Sequence, residues 1–376
     1  MKNTILIFSL FFLTSNLLAQ TNTKKNDIKI PMVASSWDYT AGDVEFIEHR
    51  STQAMKIMKA RTSALLKDIE FEKGTIEFDV EVVEGPFVGI NFRRKDAQEA
   101  ERLYLRPYRA GNLMGGDAVQ YAPIVKGVNL WDLFGAYQSN ALIKKEGWNH
   151  IKMVISEQQM QVFVNDMQHA ALEIPELCGN TSIGSISLDG NAIFANLTIS
   201  PNATADLADK LVSDHTSHDP RYLRNWSHTI PVAFPEGRDI IFDDLPNEST
   251  KWQEILAERF GLVNLTRLYG SDKNDERRLV WLKTNIQSDR AQERKINLGF
   301  SDEVWVYING QFLYIDKNYY ANAVRKEPNG RCDISNASFP IPLQEGDNEL
   351  LIGVSNFFFG WGIVARMDEV EGIRFD

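Results

Sequence analysis

Arg93, Arg94, Lys95, Arg102, Arg106 and Arg109 crowd into one short stretch of a chain whose net charge is -11. Guanidinium forks bind carboxylate or sulfate through paired hydrogen bonds. Leu103 and Leu105 alternate with Arg102, Tyr104 and Arg106, so a strand here buries the leucines and presents the other three on one face. Gln120, Tyr121 and Trp131 follow on a glycine-rich stretch suited to the rim of a groove. Arg93, Arg102, Tyr104, Arg106, Gln120, Tyr121 and Trp131 therefore form the candidate ligand-binding set. Aromatic rings stack on sugar faces, and the arginines suit the uronate or sulfate groups of an acidic glycan. The alternative is surface pairing of the same arginines with Asp96, Glu99, Glu101 and Asp117, since such pairs are common and individually weak.

A second constellation is Glu77, Asp79 and Glu81, at i, i+2 and i+4 of an alternating run, which puts all three carboxylates on one strand face. Carboxyl groups about 5–5.5 Å apart are the arrangement of retaining glycoside hydrolysis. The solvent face of any amphipathic strand yields the same letters, and that is the preferred reading. His215, His218, Asp219 and His228 lie in a polar stretch without the compact spacing of a zinc motif, so no metal is assigned. Phosphate loops, nucleophile elbows and recognisable Cys–His spacings are lacking, and no cofactor is expected. Tyr314, Tyr319, Tyr320, Phe357, Phe358, Phe359 and Trp361 fall near predicted turns, where either ligand contact or packing between domains accounts for them.

These residues need elements to hold them. Residues 74–82 alternate cleanly, with Ile76, Phe78, Val80 and Val82 on one face. Strand-like runs recur at 87–92, 102–106, 151–155, 160–164 and 192–199, the pair 151–155 and 160–164 reading as a hairpin. The alternation stops at Pro201. Residues 201–230 read as a polar connection with one short helix near 205–212. A second helix is expected after Ser249, with Trp252, Ile255, Leu256 and Phe260 on one face and Gly261 at its end. Further strands are predicted at 262–268, 279–287, 295–298, 304–308, 311–315, 349–354 and 362–366, and Asn309-Gly310 marks a tight hairpin. The fold class is all-β: two β-sandwich (jelly-roll) domains joined by a partly helical linker.

Bulk properties agree. A chain of 376 residues accommodates two domains of roughly 150 residues. With 43% hydrophobic and 11% aromatic residues it has material for packed cores. The acidic balance argues against nucleic acid and anionic lipid as partners. Lys2, the apolar run from Ile5 to Leu18 and the small residue Ala19 read as a signal peptide at 1–19, so export to a periplasm or the medium is expected. No later stretch reaches the about 18 apolar residues of a membrane span. Export would permit a disulfide between Cys178 and Cys332; two packed thiols is the simpler expectation.

Residues 20–200 resemble the concanavalin A-like lectin/glucanase superfamily, including its laminin-G-like members. The resemblance rests on Phe71-Glu-Lys-Gly-Thr-Ile-Glu-Phe-Asp-Val80, Gly89-Ile-Asn-Phe-Arg93, Tyr104-Leu-Arg-Pro107, Gly147-Trp-Asn-His-Ile-Lys152 and Phe194-Ala-Asn-Leu-Thr-Ile199. By analogy with its glucanases, Glu77 would be nucleophile and Glu81 acid/base, with Asp79 tuning them, although the tryptophan-rich segment expected before such a strand is missing. Residues 231–376 resemble galactose-binding-like jelly rolls, through Ser301-Asp-Glu-Val-Trp-Val-Tyr-Ile-Asn-Gly310, Gly346-Asp-Asn-Glu-Leu350 and Gly360-Trp-Gly362. The combination implies a carbohydrate-binding accessory protein of a bacterial polysaccharide-degrading system, with polysaccharide or oligosaccharide as partner. The alternatives are a glycoside hydrolase, a polysaccharide lyase using Tyr104 with Arg106 or His150, and an extracellular protein-interaction module. Fold alone does not choose among them.

Overall fold

A computed structural model describes residues 27–271, 277–320 and 322–375. The expected signal peptide lies outside the described residues. The chain is all-β, and every named strand pairing in it is antiparallel.

The first half builds two facing sheets. One runs in the order Leu172–Ile174, Met160–Val164, Asn149–Ile155, Gly74–Val82, Ala192–Pro201, Thr52–Ile57, Val44–His49. The other runs Gln138–Ser139, Val119–Tyr121, Glu101–Leu105, Val88–Arg94, Ser185–Asp189, Ser63–Leu66, Trp37–Asp38. Alternation explains the layer between them. Ile76, Phe78, Val80 and Val82 point inward from the first sheet, and Ile90, Phe92, Leu103, Leu105 and Val119 from the second, into one core. The expected hairpin is present, with Ile151 opposite Val164 and Ile155 opposite Met160.

The second half repeats the layering with different connections. Gln253–Leu256, Asn225–His228, Arg278–Ser288, Gly346–Ser355, Glu303–Ile308 and Gln311–Lys317 form one sheet; Leu262–Asn264, Gly362–Met367, Gln292–Ser301 and Ala337–Leu343 form the other. Val280, Leu282, Phe300, Val304, Val306, Ile352 and Trp361 fill the space between. Asn309 and Gly310 both take positive φ, 50° and 75°, which matches the twist a two-residue hairpin turn requires.

Three local expectations are corrected. Residues 249–261 form no α-helix, only a single 3-10 turn at Arg259–Gly261. Gln253–Leu256 is an edge strand on Asn225–His228, and Trp252 and Ile255 serve different apolar clusters, Trp252 the smaller one around Trp281 and Trp305 and Ile255 the main core. Their three-residue spacing imitated a helical face. Residues 205–212 are likewise not helical; they run along the first sandwich, where Ser156 Oγ donates to the Ala208 carbonyl and Asp209 accepts from Glu157 N–H and Lys73 Nζ. The strand expected at 262–268 stops at Asn264, whose side chain accepts from Arg267 N–H and caps the helix Leu265–Tyr269.

The halves do not meet across a wet gap. Leu262 and Val364 belong to the same apolar core as the first sandwich, with Tyr222, Phe260, Cys332 and Ile334 packed against it. A cavity of about 260 Å³ remains in the seam. Cys178 and Cys332 are both free thiols. Phe194 is wholly buried in the first core, with its ring 6.3 Å from that of Phe78. Phe194→Ala should cost about 3–5 kcal/mol, seen as a lowered urea midpoint at unchanged slope; an unmoved midpoint would contradict this packing.

Candidate functional site

Cross-strand register assembles a row on the outer face of the second sheet of the first half. Asp189 lies opposite Gly89, Gly89 opposite Tyr104, Tyr104 opposite Gln120, and Gln120 opposite Gln138. Gly89 has to be glycine: a Cβ there would sit 2.7 Å from the Leu103 carbonyl oxygen and 3.0 Å from Tyr104 Cβ. Arg102 grips Asp189 with both terminal nitrogens, each at 2.7 Å. Arg106 donates to the Asp117 carbonyl and to Gln120 Oε1 (2.6 Å), and Gln120 in turn donates to the Trp131 carbonyl (3.1 Å).

The Tyr104 ring is sandwiched by the Arg102 and Arg106 guanidiniums, at 5.5 and 5.2 Å from its centroid, and is only 4% exposed. Burial pushes its phenol up to about 12, outweighing the two arginines. Tyr104, Arg106 and Gln120 are thus the floor of a site rather than its contact surface.

Two members of the sequence-derived set do not join this row. Opposite Ile186 the strand bulges, so that Phe92 and Arg93 face one residue, and Arg93 takes φ 48°. Its side chain turns inward and donates to the carbonyls of Glu72 (2.7 Å), Ser156 (2.7 Å) and Glu157 (3.2 Å). Tyr121 pairs with Leu103 and therefore shares the inward face, where its hydroxyl donates to Glu101 Oε2 at 2.6 Å. Gln120 and Tyr121 are adjacent in one strand and so must face opposite ways, which is a sequence signal that only one of them could join the outer face; the bulge at Arg93 has no comparable signal.

At the far edge of the row the second half closes in. Trp131 meets Tyr320 edge-on at 4.7 Å and Phe359 at 6.0 Å. Phe358 stacks on Tyr320 with planes 7° apart, and Phe357 stacks on Tyr319. These rings present real surface: Phe87, Tyr108, Tyr320, Phe358 and Phe359 are between 37 and 59% exposed. Beneath them Arg109 pairs with Asp117 at 2.6 Å and Arg106 with the same carboxylate at 3.7 Å, while Arg331 lies over the Trp131 ring at 5.1 Å. Burial works to raise Asp117, but the Arg109 contact and the Arg106 and Arg331 charges prevail and hold it below the usual range.

The acidic strand faces away from this site, on the outer face of the other sheet. Glu81 is engaged by Arg50 (2.7 Å) and His49 (2.9 Å) and held at about 2, chiefly by the Arg50 hydrogen bond. A carboxyl so acidic is a poor general acid near neutrality. His150 bonds Asp79 (2.7 Å) and approaches Glu77 (3.4 Å). It therefore stands on a different sheet from Tyr104 and Arg106, and a lyase set drawing on His150 together with them is not assembled. His228 is buried against Tyr269, Asp219 is paired with Arg221, and His215 packs on the Phe260 ring. Among the described residues no group of three or more His, Cys, Asp or Glu is placed to hold a metal ion.

No family model and no curated protein matches this chain. Solved structures similar to it include carbohydrate-binding proteins. The carbohydrate-binding module CBM66 from Bacillus subtilis is 15% identical over 44% of this chain and 96% of that one, with a TM-score of 0.33. A putative glycosyl hydrolase from Parabacteroides distasonis is 12% identical over 44% and 88%, at 0.31. The exoplasmic/lumenal domain of VIP36 in its Ca2+/Man3GlcNAc-bound form is 11% identical over 52% and 94%, at 0.33. Likenesses this distant say nothing about the site or its ligand.

The Asp79 hydrogen bond, against some desolvation, holds the His150 imidazolium above its ordinary 6.5. That contact contributes stability below the unfolded-state value and is lost as pH rises through the folded one. Asp79→Asn should drop the His150 midpoint toward 6.5 in an NMR titration; an unmoved midpoint would refute the pairing.

Proposed function

We propose that this chain is an exported carbohydrate-binding protein, an accessory component of a bacterial polysaccharide-degrading system, and that it holds acidic glycans at the rim between its halves. On this reading residues 20–200 are a concanavalin A-like or laminin-G-like domain, 201–230 the linker and 231–376 a galactose-binding-like domain. The observation that carries the proposal is the half-buried Trp131 ring bordered by the exposed rings Tyr320, Phe358 and Phe359, with exposed Tyr108 and the guanidiniums of Arg106, Arg109 and Arg331 nearby. Rings offer apolar area to the C–H face of a pyranose, and the guanidiniums below supply donors and charge for its hydroxyl and acidic groups. Of the sequence-derived set, Arg102, Tyr104, Arg106, Gln120 and Trp131 serve this site, most of them as support. The signal-peptide pattern at 1–19 is the basis for export.

A protein-interaction module would call for an apolar patch away from the arginines, whereas these rings lie against them. Removing one ring from a stacked contact forfeits roughly 1.5–3 kcal/mol of burial, equivalent to about tenfold or more in affinity. Mature protein from Gln20 should bind an acidic polysaccharide in affinity electrophoresis without releasing new ends. Trp131→Ala and Phe359→Ala should each weaken retention about tenfold. Retention unchanged in both variants would remove the rim as the site, and new reducing or unsaturated ends would make the chain an enzyme.

A further inference from the structure

The four most buried arginines of the described residues solve the cost of burial in different ways. Arg93 (2% exposed) donates to three backbone carbonyls, and Arg277 (5%) pairs with the wholly buried Glu303. Arg106 (4%) has Gln120, a carbonyl and a share of Asp117. Arg331 (3%) has much less. Its guanidinium donates to Gln138 Oε1 at 2.8 Å and lies over Trp131. Among the described residues no carboxylate comes within 4 Å of it, and its buried Nε has no hydrogen-bond partner.

Its surroundings make the imbalance worse. Arg106 and Arg109 pair with one carboxylate, Asp117, which feels the Arg331 charge only at longer range. Asp132, on the Gly360 side of Trp131, is fully buried, its carboxyl is pushed well above the usual range by that burial, and its oxygens are engaged by Gly360 N–H and the Ser301 hydroxyl rather than by Arg331. Burial and the neighbouring Arg106 charge together disfavour the Arg331 cation. An unpaired buried charge is costly unless something pairs with it.

The backbone holds Arg331 in place regardless. Its N–H donates to the Pro328 carbonyl (3.1 Å), and its carbonyl accepts from the buried Asn318 amide (3.1 Å). Gly135 provides the space the side chain crosses, since a Cβ there would come 2.5 Å from Arg331 Cδ. A cation fixed this firmly, with donor capacity unspent and an aromatic wall beside it, is organised for a planar or tetrahedral oxyanion.

We propose that Arg331, with Arg109 beside it and the Arg106 charge beneath, is the anion clamp of the rim, taking the carboxylate or sulfate of an acidic glycan whose sugar face lies on Trp131, Tyr320 and Phe359. The proposal rests on the glycan-binding reading and adds its determining residue, contributed by the second half to a site laid out in the first. Uronate and sulfate present the same charged oxygens, so the test separates them.

The full mature chain is run against two matched pairs: polygalacturonate with its methyl ester, and dextran sulfate with dextran. Binding should favour the charged member of at least one pair by tenfold or more, and which pair identifies uronate or sulfate as the natural group. Arg331→Gln should bring that ratio close to one. Arg331→Lys, which keeps the charge but loses the fork, should restore part of it. Arg109→Gln, at a partly exposed position, should cut the ratio several-fold even if Arg331 variants fold poorly. Equal binding to both members of each pair overturns the clamp while leaving glycan binding intact, as does a ratio that survives Arg331→Gln and Arg109→Gln. Retention of none of the four polymers overturns the glycan-binding reading, and the clamp falls with it.

Discussion

Asp132 is the residue on which the shared architecture depends. Its carboxylate accepts from Gly360 N–H at 3.0 Å and from the Ser301 hydroxyl at 3.4 Å, and its backbone carbonyl accepts from Cys332 N–H at 2.9 Å. Three separated segments of the second half are thereby tied to one residue of the first. A buried carboxyl is costly unless its oxygens are satisfied, and these are. Because the bonds exist only when the halves are docked, they make the seam a fixed joint rather than a contact between loosely tethered bodies. Within the second half Asp302, pushed up to about 7 by burial, fixes the same loop by accepting from Phe357 and Phe358 N–H at 2.5 and 2.7 Å.

The consequence is an aromatic loop in which Phe358 and Phe359 meet edge-on at 4.5 Å while each also reaches a different ring outside the loop. Three consecutive phenylalanines have no single strand face to share. With their backbone pinned by Asp132 and Asp302, the side chains fan outward, Phe357 to Tyr319, Phe358 to Tyr320 and Phe359 to Trp131. Meanwhile the outer face of the first half's second sheet is closed over by its own Arg102–Asp189 pair and the Arg106–Gln120–Trp131 chain. The open binding surface is displaced from the sheet to its edge, where the second half supplies a wall and a cation.

Much of this was legible in the sequence, in the places where local rules dominate. Period-two alternation located most strands, Leu103 and Leu105 oriented Arg102, Tyr104 and Arg106 correctly, and Asn309-Gly310 marked its turn. Readings failed where tertiary context outweighed local pattern. Trp252, Ile255 and Leu256 mimicked a helical stripe, but Ile255 and Leu256 belong to an edge strand whose ladder partner is Asn225–His228 and Trp252 precedes it. Arg93 was lost to a bulge created by slippage against Ser185–Asp189. Arg331 was not found because its significance lies in what it lacks, a carboxylate, and in Trp131 and Gln138, about two hundred positions away in sequence. No spacing rule links such residues.

The central claim is that one surface, built from both halves, takes the ligand. Amide hydrogen exchange on the full mature chain, with and without a retained acidic oligosaccharide, tests it most directly. Added protection is expected at residues 107–110 and 129–134 and, in the same experiment, at 318–320, 322–331 and 356–361. Protection confined to one half, or mapping to the outer face that carries Glu77, Asp79 and His150, would contradict it.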